Sequence, residues 1–253
     1  MKPALQTLQF WIVTVAAIAV AALTGSLGDW QLRRAGQKLA LQAAISSKNK
    51  LEAHDSRALA AIKNIADEVH RRVALQGTWV PAQTVYLDNR TMNGKSGFWV
   101  LTPLMLAATD RAVIVQRGWV PRNFNDRSSV PPVDTPAGLV QVEGRIALQP
   151  GRLFDLGGAG QGRIRQNLDI AAFRSETGLP LLEATVVQID PSVPAGSTGP
   201  SAGGGLLRDW AAPTTGVDKH NGYAFQWFGL CALVVGLYGW FQLRPLFRRQ
   251  LNS

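Results

Sequence analysis

Phe10-Trp-Ile-Val-Thr-Val-Ala-Ala-Ile-Ala-Val-Ala-Ala-Leu23 sits inside a longer stretch, Pro3 to Gly28, that carries no charged residue. A helix needs about 20 apolar residues to cross a bilayer, and this run reaches that length. Near the other end, His220 to Leu243 contains no Asp, Glu, Lys or Arg. In hydrocarbon a backbone must satisfy its own hydrogen bonds, so both runs are expected to be helices. The first has a competing reading as a cleaved signal peptide, since Ala19-Val-Ala21 imitates a cleavage site. Against that, Lys2 is the only basic residue before it and the apolar run is long. The second competes with a buried core helix, and the basic stop at Arg244, Arg248 and Arg249 argues for a span. Four of the eight tryptophans (Trp11, Trp30, Trp227 and Trp240) lie at or near the ends of the two runs, where indole rings favour the headgroup zone.

The expected layout follows from these anchors. Residues 1–7 and the basic tail 244–253 are cytoplasmic, 8–28 and 220–243 span the membrane, and 29–219 form one extracytoplasmic domain. The C-terminal arginines orient the pair by the excess of positive charge on the cytoplasmic side. Arg33, Arg34 and Lys38 then follow the first span on the outer side, which long translocated segments tolerate. The setting expected for such a chain is a bacterial-type inner (plasma) membrane.

The net charge of +9 does not describe a nucleic-acid surface. Without Lys2, Arg244, Arg248 and Arg249, the stretch between the anchors holds 22 Lys and Arg against 17 Asp and Glu, a net +5. No basic run is interleaved with aromatics, and anionic lipid headgroups are the simpler partner. Cys231, the one cysteine, falls inside the second apolar run. That excludes an intramolecular disulfide, a Cys-x-x-Cys redox pair and a thiolate metal cage.

Between the anchors, helix is expected to continue from Asp29 to about Ile45. Asp55 and Ser56 are good N-cap residues for a second helix with Leu59, Ile62, Ala66 and Val69 on one stripe. The period then switches to two. Val73, Leu75, Gly77 and Trp79 alternate with polar residues. Strands are predicted at 84–90, 97–106, 111–120, around Val140 to Leu148, and at 183–190, with turns at Asn93-Gly94 and Thr109-Asp110. A short helix is predicted near Leu168 to Glu176. Short sequential strands joined by tight turns favour an antiparallel arrangement. The fold class is therefore an α+β membrane protein, two transmembrane helices flanking a mainly antiparallel β-sheet or small barrel. Asp126 to Pro136 and Pro191 to Gly205 read as irregular connectors.

Catalytic patterns are sparse. Gly94-Lys95-Ser96 imitates the end of a phosphate-binding loop, but Asn89 stands where the leading glycine belongs. Gly157 to Gly162 is glycine-rich without dinucleotide spacing. No Gly-x-Ser-x-Gly elbow or His-Glu-x-x-His pair occurs. His54 and His70 read as solvated residues on the helices near the first anchor, and Asp88 with Asp110 has nothing to fix a mutual distance. An enzyme is not expected. His220 differs, because it stands where the chain returns to the apolar run. On a helix, His220, Tyr223, Ala224 and Trp227 fall at i, i+3, i+4 and i+7, on one face. Imidazole is an ordinary axial ligand for haem iron. The competing reading is an aromatic belt with a helix-start histidine. Arg117-Gly118-Trp119 has two readings as well: a glycine that lets another backbone approach beside a partner-contacting Trp119, or a strand end with a core aromatic.

Read together, the ordered segments resemble one known family. They are Gly28-Asp-Trp-Gln-Leu-Arg33 with Lys38 and Leu39, Gly77-Thr-Trp79, Tyr86-Leu-Asp-Asn-Arg90, Gly97-Phe-Trp-Val-Leu-Thr-Pro-Leu104, Val115-Gln-Arg-Gly-Trp-Val-Pro121 and His220-Asn-Gly-Tyr-Ala-Phe-Gln-Trp-Phe228. This set is similar to the SURF1 (Shy1-like) proteins of cytochrome oxidase biogenesis. The resemblance implies an assembly factor that assists haem a placement in the catalytic subunit of a haem-copper oxidase. The implied partners are that subunit, the haem a synthesis machinery and membrane lipids. It also implies cofactor contact through His220 and Tyr223, with Trp227 beside them on the same face, and haem iron as the metal at His220. Two positions depart from the family pattern: Lys219 stands where asparagine often precedes the histidine, and Gln116 where Asn or Asp is common. The alternative is a structural interaction protein that docks on an oxidase subunit without touching cofactor.

Overall fold

Alternation of apolar and polar residues from Arg72 onward produces a sheet that closes on itself. The structure is a computed structural model and describes residues 2–123, 130–153, 162–190, 205–210 and 216–243. The described residues fall into two units, one up to Ala43 and again from Gly216, the other from Ala44 to Trp210.

In the second unit, strands β1 (Arg72–Trp79), β2 (Val85–Met92), β3 (Lys95–Leu106), β4 (Ala112–Pro121), β5 (Leu139–Ala147), β6 (Ile164–Arg165) and β7 (Leu181–Gln188) form one sheet in the order β1-β5-β7-β4-β3-β2-β6. A further pairing of Gly77 to Trp79 with Leu106 to Leu104 joins β1 to β3. This closes a five-stranded barrel, β1-β5-β7-β4-β3. β3 is long enough to divide one edge: its first half pairs with β2 and its last three residues with β1. Closure needs a close approach at Gly77, where a Cβ would stand 2.3 Å from the Met105 carbonyl oxygen.

The barrel interior holds Val73, Leu75, Trp79, Leu104, Leu106, Val113, Val115, Val142, Ile146, Ala184 and Val186. Leu59 of the short helix α2 (Ser56–Ala61) joins this core and is fully buried, a contribution of about 2 kcal/mol. A second cluster (Val85, Leu87, Leu101, Ala112, Ile114) packs under α3 (Ile170–Thr177) through Leu168, Ile170 and Phe173. β4 is thus covered on both faces and buried from Ala112 to Val120, which is why Ala112 to Val115 are apolar without alternation. Gln116 lies in this double-sided interior, and its amide donates to the Thr185 hydroxyl at 2.8 Å.

The antiparallel expectation holds for five of the seven ladders, whereas β4–β7 and β2–β6 are parallel. The predicted strands and the helix α3 are present, with boundaries shifted by at most two residues. The expected helical stripe Leu59, Ile62, Ala66, Val69 is broken. α2 stops at Ala61, Ile62 is extended, and a 3₁₀ turn takes Ile65–Glu68. Tertiary contacts hold both sides of the break: Ile62 and Ile65 pack against the barrel core, and the start of α2 is tied to β1. Ser56 Oγ donates to the Gln76 carbonyl and accepts from the Gln76 amide, while His54 pairs through its backbone with Val73. A helix this short has little stability of its own against such bonds. His54 and His70 consequently lie off the helices. His54 meets Glu68 at 3.2 Å, and half-buried His70, at φ 72°, has its pKa lowered by burial and by Arg145. Asn93 and Gly94, both at positive φ, make the tight β2–β3 turn, so Gly94-Lys95-Ser96 is a hairpin and no phosphate loop. Asp88 pairs with Arg122, at the opposite end of β3 from Asp110. Gly157 to Gln161, Asp126 to Ser129 of the first predicted connector and Pro191 to Gly204 of the second fall outside the described residues, and Val130 to Pro136 are irregular as expected.

The second half of β4 has an edge that β7 does not cover, and Gly205 to Trp210 returns to it. Trp119 and Leu207 exchange backbone hydrogen bonds of 2.7 and 2.9 Å. Arg208 Nε donates to the Arg117 carbonyl, and Trp210 Nε1 to the Gln188 carbonyl, each at 2.7 Å. Gly118 makes this possible: at φ 154° a Cβ there would stand 2.8 Å from Leu206 Cβ and from the Leu207 carbonyl oxygen. Replacing Gly118 with Val should therefore displace the returning segment and lower unfolding stability by about 1–3 kcal/mol. The check is chemical denaturation followed by tryptophan fluorescence, because Trp210 stands edge-on to Trp99 at 5.7 Å. An unchanged midpoint and an unchanged native spectrum would contradict this packing.

Candidate functional site

The first unit is built from two helices whose half-buried positions follow a heptad. α1 (Lys2–Asn49) continues unbroken past the first apolar run. Its covered residues include Thr14, Ala17, Ala21, Thr24, Gly28, Gln31, Ala35 and Lys38, spaced alternately three and four, with Gly25 and Leu27 half-buried beside that line. α4 (Val217–Tyr238) covers Val217, His220, Ala224, Trp227, Cys231, Val234 and Tyr238 at the same alternation. A sustained 3.5-residue period is the signature of a coiled-coil seam.

The cross-contacts run in antiparallel register. Thr14 Oγ1 and Tyr238 Oη are 2.9 Å apart, and Cys231 Sγ lies 3.4 Å from the Ala21 carbonyl oxygen. The Phe228 ring lies over Gly28, where a Cβ would be 2.9 Å away, and a Cβ at Gly216 would stand 3.6 Å from Lys38 Nζ. Small residues let the backbones approach, as they do between helices in lipid. Both helices are long and apolar enough to cross a membrane, and only 6% of either apolar window is buried. A buried core helix would show the reverse. Leu8, Trp11, Val15, Ile18, Leu23, Phe225, Leu233 and Phe241 all face outward.

His220 occupies the seam where the uncharged part of α1 gives way to Asp29, Arg33 and Arg34. Its Nδ1 lies 2.7 Å from Gln31 Oε1. Of the face expected from spacing, His220, Ala224 and Trp227 are on the seam, with Ala224 only 2% exposed. Tyr223 falls on the outer flank and is 53% exposed. Lys219 is exposed. Among the described residues no three His, Cys, Asp or Glu side chains come together as a metal cage. A single imidazole is instead the donor set of a haem axial ligand, where the porphyrin supplies the other nitrogens.

Arg117, Gly118 and Trp119 lie in the barrel unit and are committed internally. Arg117 is buried, stacks 4.6 Å above the Trp79 ring, and donates to Thr135 Oγ1 and the Asp134 carbonyl at 2.7 Å. Burial, aided by the charge of Arg208, lowers its pKa to about 10. Trp119 is 2% exposed and donates from Nε1 to the Arg90 carbonyl. Trp119 is thus a core aromatic, and the backbone that Gly118 admits is the chain's own. Sequence reasoning missed Gln31 as a neighbour of His220. Extending the spacing Thr24, Gly28, Gln31, Ala35, Lys38 from the first apolar run finds it.

Gly28→Leu should force the helices apart and destabilise their pairing by about 1–3 kcal/mol. Gly222→Leu should cost far less, since nothing lies within 4 Å of that position. Denaturant-induced dissociation of the helices in detergent, read by resonance energy transfer between labels on the two helices, measures the difference.

Known proteins bear on this arrangement. The family model described as the SURF1 family matches residues 18–232, from within α1 to within α4, and so includes the barrel, Gln31 and His220. The chain is 33% identical over 147 residues to a "SURF1-like protein" of Monosiga brevicollis, covering 53% of this chain and 52% of that protein. It is 31% identical over 119 residues to "Surfeit locus protein 1" of Arabidopsis thaliana, covering 42% and 33%. Against the "Cytochrome oxidase assembly protein SHY1" of Saccharomyces cerevisiae it is 30% identical over 94 residues, covering 37% and 24%. The chain thus spans about half or less of the length of the curated relatives it matches. With the family model covering most of its length, the chain belongs to the SURF1 family.

Proposed function

We propose that the protein is a membrane-anchored, non-catalytic assembly factor for a haem-copper cytochrome oxidase. In this reading it assists haem a placement in the catalytic subunit and contacts haem a through His220. Family membership and the name of the yeast relative support the assembly role. The observation that carries the cofactor contact is the position of His220. It is an imidazole at the charged end of a seam between two outward-facing apolar helices, with an exposed tyrosine one helical step away.

That environment suits an amphiphilic porphyrin. The apolar flank of the helices offers a surface to the ring, and His220 offers one nitrogen to the iron. Trp227 on the seam and Tyr223 on the flank are the aromatic neighbours within reach of the same helix face. When bound, haem a supplies an iron centre whose axial positions accept imidazole. The protein's part is to hold that imidazole at the membrane boundary and to dock on the oxidase subunit. Both helices cross the membrane in this account, with both termini cytoplasmic and the barrel unit extracytoplasmic, in the orientation that the terminal arginines favour. Partners are the oxidase catalytic subunit, the haem a synthesis machinery and the surrounding lipid.

Protein co-expressed with haem a synthesis is expected to purify with a Soret band that His220→Ala loses. Alanine suits a seam already made of small residues, so helix pairing should survive the substitution. If wild type and His220→Ala purify equally free of haem, and both retain the oxidase catalytic subunit, the protein docks without cofactor and the His220 contact is refuted.

A further inference from the structure

The bond between His220 and Gln31 carries more than helix pairing. A carboxamide oxygen only accepts, so an imidazole nitrogen 2.7 Å from Gln31 Oε1 must be the donor. In a neutral ring with its proton on Nδ1, the lone pair is left on Nε2, on the opposite edge of the ring. One bond thereby sets the tautomer and limits rotation about the Cβ–Cγ bond.

Gln31 is well placed to impose this. It stands on the α1 seam between Gly28 and Ala35, two small residues that let its side chain reach α4. Across from it, Ala224 and Gly216 flank His220 one turn to either side, equally small. The seam residues one turn from this pair are thus Gly28, Ala35, Gly216 and Ala224, with Lys38 one heptad beyond Gln31. Lys38 and the arginines 33 and 34 continue the same helix, and none of them is the group bonded to Nδ1.

Resting on the reading of His220 as an axial haem ligand, we infer that Gln31 is a positioning residue for it. Gln31 accepts the Nδ1 proton, fixes the ring, and leaves Nε2 as the nitrogen that meets the iron. Outer partners of this kind change metal affinity by about 10- to 100-fold when removed. They also raise the basicity of the ligand nitrogen, which the potential of the bound iron reports.

The test uses the full chain in lipid nanodiscs with ¹⁵N-labelled histidine. The sequence has three histidines, and His220→Ala identifies the signal of interest. Wild-type protein should show His220 protonated on Nδ1, and Gln31→Leu should lose that state. Titrated with haem a, Gln31→Leu should bind about tenfold or more weakly than wild type. Gln31→Glu keeps an acceptor, so it should restore most of the affinity, and its negative charge should lower the haem midpoint potential. It also controls for misfolding in Gln31→Leu. A wild-type His220 protonated on Nε2 overturns the inference, because the amide would then present its NH₂ to Nδ1. Haem a binding that falls in His220→Ala but not in Gln31→Leu overturns the positioning role alone. Equal binding by wild type and His220→Ala overturns the ligand reading itself, and the role of Gln31 with it.

Discussion

The first unit depends on close approach of two helices along a line of small side chains. Ala17, Ala21, Thr24, Gly28 and Ala35 on α1 face Ala224 and Cys231 on α4, so the backbones come near enough for single side chains to bridge them. If the helices cross a membrane as proposed, water does not drive this pairing, because their outer surface meets lipid. Packing and a few interhelical bonds must suffice. Thr14 with Tyr238 lies toward one end of the seam and Gln31 with His220 toward the other. The same constraint sets how His220 sits. A seam of leucines would bury it or push it aside, whereas a narrow one lets it sit half-covered with one nitrogen engaged.

The barrel unit answers a different problem. Five strands enclose a core of Val, Leu, Ile and a tryptophan without any disulfide, so every edge has to be used. β3 divides its edge between β2 and β1, and β4 divides its own between β7 and the returning segment Gly205 to Trp210. Glycine at 77 and 118 permits the close approaches at these two shared edges. Several arginines that inflate the net charge are structural here. Arg90, Arg117, Arg122, Arg163 and Arg165 each lie over an aromatic ring, so their charge describes packing more than a basic surface.

Much of this was legible in the sequence because it rests on local period. The alternation of Val73, Leu75, Gly77 and Trp79 is a barrel strand, and the Asn93-Gly94 turn is a hairpin. The apolar runs are long helices. What the sequence concealed was decided by tertiary partners. The stripe from Leu59 to Val69 has a helical period, yet the helix ends at Ala61, with Ser56 and His54 bound to β1 at its start and Ile62 and Ile65 packed on the barrel core beyond it. The parallel β4–β7 pair left no periodic mark, because burial on both faces of β4 removes alternation. At the site, spacing placed His220, Ala224 and Trp227 on one face correctly and put Tyr223 with them, whereas a 3.5-residue seam leaves Tyr223 on the flank. Gln31 was visible as a residue but not as a partner, since its role exists only once the two ends of the chain lie side by side.

The placement of His220 rests on the register of that seam, and the single native cysteine offers a direct probe. A Cβ built at Gly25 lies 3.9 Å from Cys231 Sγ, within reach of a disulfide after small adjustment. With the full chain in its native membrane, Gly25→Cys should form an intramolecular cross-link to Cys231 under mild oxidation, read as loss of both alkylatable thiols by intact mass. Ser26→Cys, one residue on and exposed, should not. Equal cross-linking at both positions, or none at Gly25→Cys, would contradict the seam and with it the placement of His220.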